Sequence, residues 1–533
     1  MKNRKMKKEK KLGGKPGRNL RTFTFFIFHF AVFRFAASAQ LRPYDITRFG
    51  ANPDGQTVNT AALNDAVRAC HAAGGGTVLV PPGTFVSGTV RLLSNVNLHL
   101  EAGATLKGSP NLADYQLDGT KRGLLFAFEA RNVSITGRGT VDGNSQQFFN
   151  PNVSHYGKMG LGFERKYTRQ GEAYMPPNQL FPDGPITYDQ RPGMLCVMLR
   201  CERVTIEGVA FLNSPEWTFR LGDCDDVRVS GITIQTDLLV PNSDGIHCTT
   251  SRNVRISDCH IRAGDDAIAI TGFGDETGVG GRMYNEQPDY SKRTIGNRTG
   301  ACEHVVVSNC VLQSRSAGIR VGYGDNPIRH CLFQNIVIHD SHRGIGVFNR
   351  DRADITDIRF DHISIQTRLH SGHWWGKGEP IHVSSIRQRV DLPVGRVRNV
   401  QFTNIVAESE SGVVLWGTAE SRLADLRFDN VTLTLKGGPL SRDWGGNFDF
   451  RPSLPADQQL FRHDIPGIFA QNVDGLLLRD VTVRWGGALP DYFTHALEVE
   501  NATGVRLENF TGQAAKPTLQ AVKTVGVAKP EVR

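Results

Sequence analysis

The chain has 533 residues, with 62 basic and 53 acidic side chains giving a net charge of +9. Residues 1–39 hold eleven of the basic residues and one acid, Glu9, a net of +10; the remainder carries −1. The whole-chain charge is therefore no argument for nucleic-acid binding, and a basic patch for an anionic partner has to be local. Nine cysteines are scattered, none with CxxC zinc-ligand spacing, and most lie in strand-like runs where a thiol serves as a small buried apolar group.

The N-terminus reads as an export signal. A lysine- and arginine-rich start precedes an apolar run from Phe23 to Phe35, which ends in Ala37-Ser38-Ala39. The run is shorter than the ~20 apolar residues of a spanning helix, and His29 and Arg34 interrupt it. The expectation is a signal peptide over 1–39 and one domain over 40–533, secreted or periplasmic. Asn59 to Ala73 places Ala62, Leu63, Ala66, Val67 and Cys70 at helical spacing, and Gly74-Gly75-Gly76 stops it. Such a helix suits the open end of a stacked core.

From there a short strand recurs: a polar residue or glycine, then alternating apolar positions. Instances open at Asn132, Arg203, Asp226, Asn253, His304, Asn335, Asp357, Asn399, Asp425, Gly475 and Gly504. Their spacing is 22 to 31 residues wherever no long loop intervenes. Period-two alternation marks half-buried strands, and this repeat with few helices predicts an all-β, right-handed parallel β-helix. Long stretches over 144–192, 272–300 and 368–380 break the period and would wall a groove.

The densest chemistry lies in Asn242-Ser243-Asp244-Gly245-Ile246 and Gly264-Asp265-Asp266-Ala267-Ile268. Pairing Ile246 with Ile268 makes a 22-residue coil and stacks Asp244 beside Asp266, with Asp265 at the neighbouring position. Three carboxylates then converge within two coils. Mutual repulsion keeps one protonated, as hydrolysis of a glycoside by acid and base requires.

These segments, with Asn213-Ser214-Pro215-Glu216-Trp217 and more weakly Asp142-Gly143-Asn144, resemble the polygalacturonase-like glycoside hydrolases of family 28. The resemblance runs from Phe49-Gly50-Ala51 to the last coils. It implies metal-free, cofactor-free hydrolysis with inversion, Asp265 as general acid, and Asp244 and Asp266 holding the attacking water. Its implied substrate is a pectin-type acidic polysaccharide or oligosaccharide. The position of the family's Gly-His-Gly histidine holds Ala317, and its Arg-Ile-Lys aligns with Gly346-Val347-Phe348, so both cations are absent there. That points away from plain polygalacturonate, toward rhamnogalacturonan, a substituted galacturonan or a side-chain linkage.

Nearby residues offer themselves for substrate binding. Asn242 adjoins the first aspartate, and Arg320 shares an outward row with His247 and Ala269. Arg343, preceded by His342, takes the coil position of Asp244, Asp266 and Ala317. In the 368–380 loop, Trp374 and Trp375 are sugar platforms, with His373, Lys377 and Glu379 as polar contacts. Two other readings stay open at this level: a β-helix lyase using the aspartates as calcium ligands with Arg320 as base, and a non-catalytic sugar-binding β-helix. The expected molecule is a monomer that touches neither nucleic acid nor, after signal removal, membrane.

Overall fold

The computed structural model describes residues 43–533, apart from 118–119, 155–164, 169–170, 175–179, 274–299, 373, 389–392, 454–458, 528–530 and 533. The leader expected over 1–39 lies outside the described residues, as do His373 and much of the two longest loops. Among the described residues no helix is long and apolar enough to cross a membrane.

The chain is a right-handed parallel β-helix. Two long stacks of parallel strands, one of 23 and one of 13, are each paired coil to coil. The larger stack bends into two faces. Early coils make them with separate strands such as Glu202–Glu207 and Ala210–Leu212; later coils use single long strands such as Cys302–Ser314. The bend needs a left-handed backbone, which asparagine and aspartate tolerate better than most residues. Asn309, Asn335, His362, Asn404 and Asn430 sit there with φ near +55°. Asn430 donates to Asn404 at 2.8 Å, and Asn309 to Asp258 at 3.1 Å, so the corner is a polar ladder.

This geometry corrects one element of the repeat. Each long strand carries a pair of left-handed residues five apart, each opening an alternating apolar run, and Ile328–Ser341 adds Asp340 as a third. Val305 pairs with Cys331, not with Ile336, so His330 continues the column of His304 while Asn335 belongs to the second corner with Asn309.

Inside, equivalent positions stack on themselves. Phe333, Phe360, Phe402 and Phe428 lie face to face at centroid separations of 4.9, 5.1 and 4.7 Å. All nine cysteines are buried and free. Helix Thr60–Ala72 buries the five apolar residues expected of it against Gly76–Val80 and Val90–Leu92, closing the first coil.

Candidate active site

The 13-stranded sheet carries the candidate site residues. Its successive strands Phe219–Gly222, Ile246–Thr249, Ile268–Gly272, Ala317–Gly324, Arg343–Asn349 and Ile381–Ser385 pair in register. Ile246 faces Ile268, which faces Ile319, which faces Ile345, so the coil register read from the sequence holds at every step. The outward row runs Arg220, His247, Ala269, Arg320, Gly346, His382.

Asp244, Asp265 and Asp266 line one cleft together with Asn242, Arg320 and Arg343. Two glycines make the approach of their coils possible. A Cβ on Gly245 would lie 2.3 Å from the Ala267 carbonyl, and one on Gly264 would lie 2.4 Å from the Val240 carbonyl. Burial, and then the charges of Asp265 and Asp266, push the Asp244 carboxyl well above its ordinary range. Asp265 is pushed up to about 7, by burial first and Asp266 second, against the opposing pull of Arg320.

Each carboxyl is aimed by neighbours. Asp266 accepts the Ala317 amide at 3.1 Å on one oxygen and meets Arg320 at 2.9 Å on the other. At the rung where the family carries histidine, a backbone N–H therefore reaches the aspartate. Arg320 also lies 3.3 Å from Nε2 of His247, whose Nδ1 is 3.4 Å from Asp244. A guanidinium only donates, so Nε2 must accept and the proton sits on Nδ1, facing Asp244. Complete burial and the charges of Arg320 and Arg220 hold His247 well below its usual pKa, keeping it neutral. Trp217 covers its ring at 3.6 Å.

The Asn-Ser-Pro-Glu-Trp segment acts through Arg191. That side chain donates to the Pro215 and Pro241 carbonyls at 3.0 and 2.8 Å, approaches Glu216 at 3.7 Å, and reaches Asn242 Oδ1 at 3.4 Å. Asn242 in turn lies 3.4 Å from Asp265 through Nδ2. Asp142 and Asn144 belong instead to a corner: Asp142 accepts from Asn213, and Asn144 donates to the Gly108 carbonyl.

The rungs of the missing cations are rebuilt. Gly346 has no room for a side chain, because the Phe348 ring fills the space 2.4 Å from where its Cβ would be. Arg343 lies over that ring at 4.8 Å and lines the cleft with Arg451 and Trp375. Arg451, with its guanidinium 5.3 Å from the Trp375 ring, was not among the residues read from the sequence. It arrives from a hairpin about a hundred residues downstream, and no repeat position announces it. Tyr323 and Ser316 also line the cleft and were likewise not singled out, as do Trp217 of the Asn-Ser-Pro-Glu-Trp segment and Phe348.

Several expected contacts lie elsewhere. Trp374 is buried and donates its indole N–H to the Asp183 carbonyl, so it plugs its loop against the body. Lys377 is buried over the Trp444 ring at 5.4 Å. Glu379, fully buried, approaches Arg343 at 3.5 Å and holds it from behind. His342 is buried against His370, 5.1 Å between centroids.

The family described as Glycosyl hydrolases family 28 matches residues 187–351, the segment that holds all three aspartates. Over that segment the chain is similar to glycosyl hydrolase family 28. A second model, Rhamnogalacturonase A/epimerase, pectate lyase-like, matches residues 44–149. A probable polygalacturonase of Vitis vinifera is 27% identical over 54% of the chain and 58% of that relative. An exo-poly-alpha-D-galacturonosidase of Dickeya chrysanthemi is 26% identical over 52% of the chain and 51% of its own length. The chain thus spans little more than half of these two curated relatives. The family 28 exopolygalacturonase of Yersinia enterocolitica superposes with a TM-score of 0.57 at 17% identity, over 86% of this chain and 78% of that one. The exopolygalacturonase of Thermotoga maritima gives 0.51 at 19% identity, over 73% and 91%. Both share the β-helix.

Proposed function

We propose that the protein hydrolyses a glycosidic bond in a pectin-type acidic polysaccharide with inversion at the anomeric carbon. What carries the reading is the convergence of Asp244, Asp265 and Asp266 on one cleft, with a carboxyl held near pKa 7 among them. Asp265 gives its proton to the departing glycosidic oxygen as the bond to the anomeric carbon breaks. A water held by Asp244 and Asp266 attacks from the opposite face and yields its proton to them. Inverting enzymes separate acid and base by ~6.5–9.5 Å to admit that water.

Arg343 and Arg451 supply positive charge for a sugar carboxylate, and Trp375 a flat apolar face for a ring. This restores the recognition of an acidic sugar that Gly346 and Phe348 cannot provide. A calcium-dependent lyase fits less well, because both oxygens of Asp266 are already taken by the Ala317 amide and Arg320. Export of residues 40–533 as one catalytic domain, after loss of 1–39, belongs to the same reading.

The test is product analysis on polygalacturonan, rhamnogalacturonan and xylogalacturonan, wild type beside Asp265→Asn. New reducing ends without ultraviolet absorbance, abolished in the variant, are expected. Ultraviolet-absorbing products would make the chemistry elimination.

A further inference from the structure

In an open β-helix groove, outward side chains on the floor of the sheet stay accessible along its length. Here the row is largely covered already at the cleft, where Arg320 is the one partly exposed position between Arg220 and Gly346. The next three positions of the same row, His382, Val414 and Phe469, are fully buried. They are covered by an antiparallel hairpin, Asn447–Asp449 with Leu460–Arg462. Phe450 packs on His382 at 5.4 Å and on Trp416 at 4.5 Å, and Phe448 stacks on Phe469 at 5.5 Å.

The hairpin is bound into a wall facing the cleft. Asp449, fully buried, accepts the Gly376 amide at 2.7 Å and grips Arg451 at 2.8 Å. Arg451 also donates to the Trp374 carbonyl at 2.9 Å. A third segment joins from far upstream: Phe181 meets Trp444 edge-on at 5.4 Å. Among the described residues, none from the rungs of Ile381, Val413 or Ile468 lines the cleft.

We propose that the cleft is blind at this end, and that the protein acts on the termini of its polymer and not on internal bonds. The end unit seats against Trp375, Arg343 and Arg451. Arg343 stands two rungs past Asp266, and rungs are ~4.8 Å apart, so roughly 10 Å separates the carboxylates from the wall. That space holds one or two sugar units, which sets the size of the released fragment. This inference rests on the hydrolase reading and adds to it which part of the chain is attacked.

On whichever polymer of the panel is cut, viscosity and reducing ends are followed together while products are sized from the first minutes. A mono- or disaccharide alone from the outset, with viscosity falling slowly, is expected. A ladder of intermediate oligomers with early loss of viscosity overturns the proposal and leaves the hydrolase reading standing. A second measurement needs no turnover: the full chain carrying Asp265→Asn is titrated with oligogalacturonides. The same oligomers are tested with the reducing end converted to an alditol, or with a 4,5-unsaturated non-reducing end. Modifying one terminus should weaken binding at least about tenfold while the other has no effect; equal binding of all three overturns the proposal. Polymers and oligomers neither cut nor bound would overturn the hydrolase reading, and this inference with it.

Discussion

Asp265 pays for its position in the fold. Its carboxyl is pushed to about 7, far above the ~3.9 of an unfolded chain. The neutral form is therefore the one the fold favours: its contribution is fully present below about pH 4 and lost as pH rises through 7. Asp265→Asn should raise the melting temperature at pH 8 by at least ~2 °C, with the gap closing toward pH 4. The same substitution should lower kcat by ~10²–10⁴-fold, because the proton donor is gone. For the wild type, kcat/KM should fall as pH rises past about 7. Arg320 pulls the Asp265 pKa down. Arg320→Gln should therefore move that alkaline limb to higher pH while lowering the maximum rate, since Asp266 and His247 lose their shared partner. A pH–rate profile of both proteins checks the sign.

At the level of the strand, side-chain stacking and corner chemistry do separate jobs. Phe360 sits between Phe333 and Phe402, so Phe360→Ala opens a void in a continuous column and should cost ~3–5 kcal/mol. Asn404 holds φ at +53° at a corner. Asn404→Ala should destabilise by about 1–2 kcal/mol and Asn404→Gly by less, since glycine meets no Cβ penalty there. Thermal denaturation of the three variants reads both predictions. The strands explain what was legible beforehand. Aligning Asp244-Gly245-Ile246 with Asp266-Ala267-Ile268 made the pairing of Ile246 with Ile268 legible, and with it the gathering of the aspartates. The repeat of a polar or glycine opener before an alternating run misplaced Asn335, because both corners of a bent strand write it. Arg451 and the burial of Trp374 were not legible, since both depend on loops that have no period and meet only in three dimensions.

The whole molecule is a stack with two ends, and the N-terminal one is closed by helix Thr60–Ala72. An uncovered coil would present unpaired backbone and apolar side chains to any passing strand. Leu63→Asp, at a fully buried position of that helix, should lower the melting temperature and the soluble yield while leaving the kcat of the folded fraction unchanged. Size-exclusion chromatography and activity per folded molecule separate the two effects.

The outward row on the catalytic sheet has a practical corollary. It offers one residue position per coil, at a spacing set by backbone hydrogen bonds and not by side-chain identity. A polymer lying along it is measured against a ruler whose graduations never move. Replacing the residue on a single graduation alters what is read at one place along the polymer and leaves the rest in register. Specificity in such a scaffold can be rewritten one mark at a time.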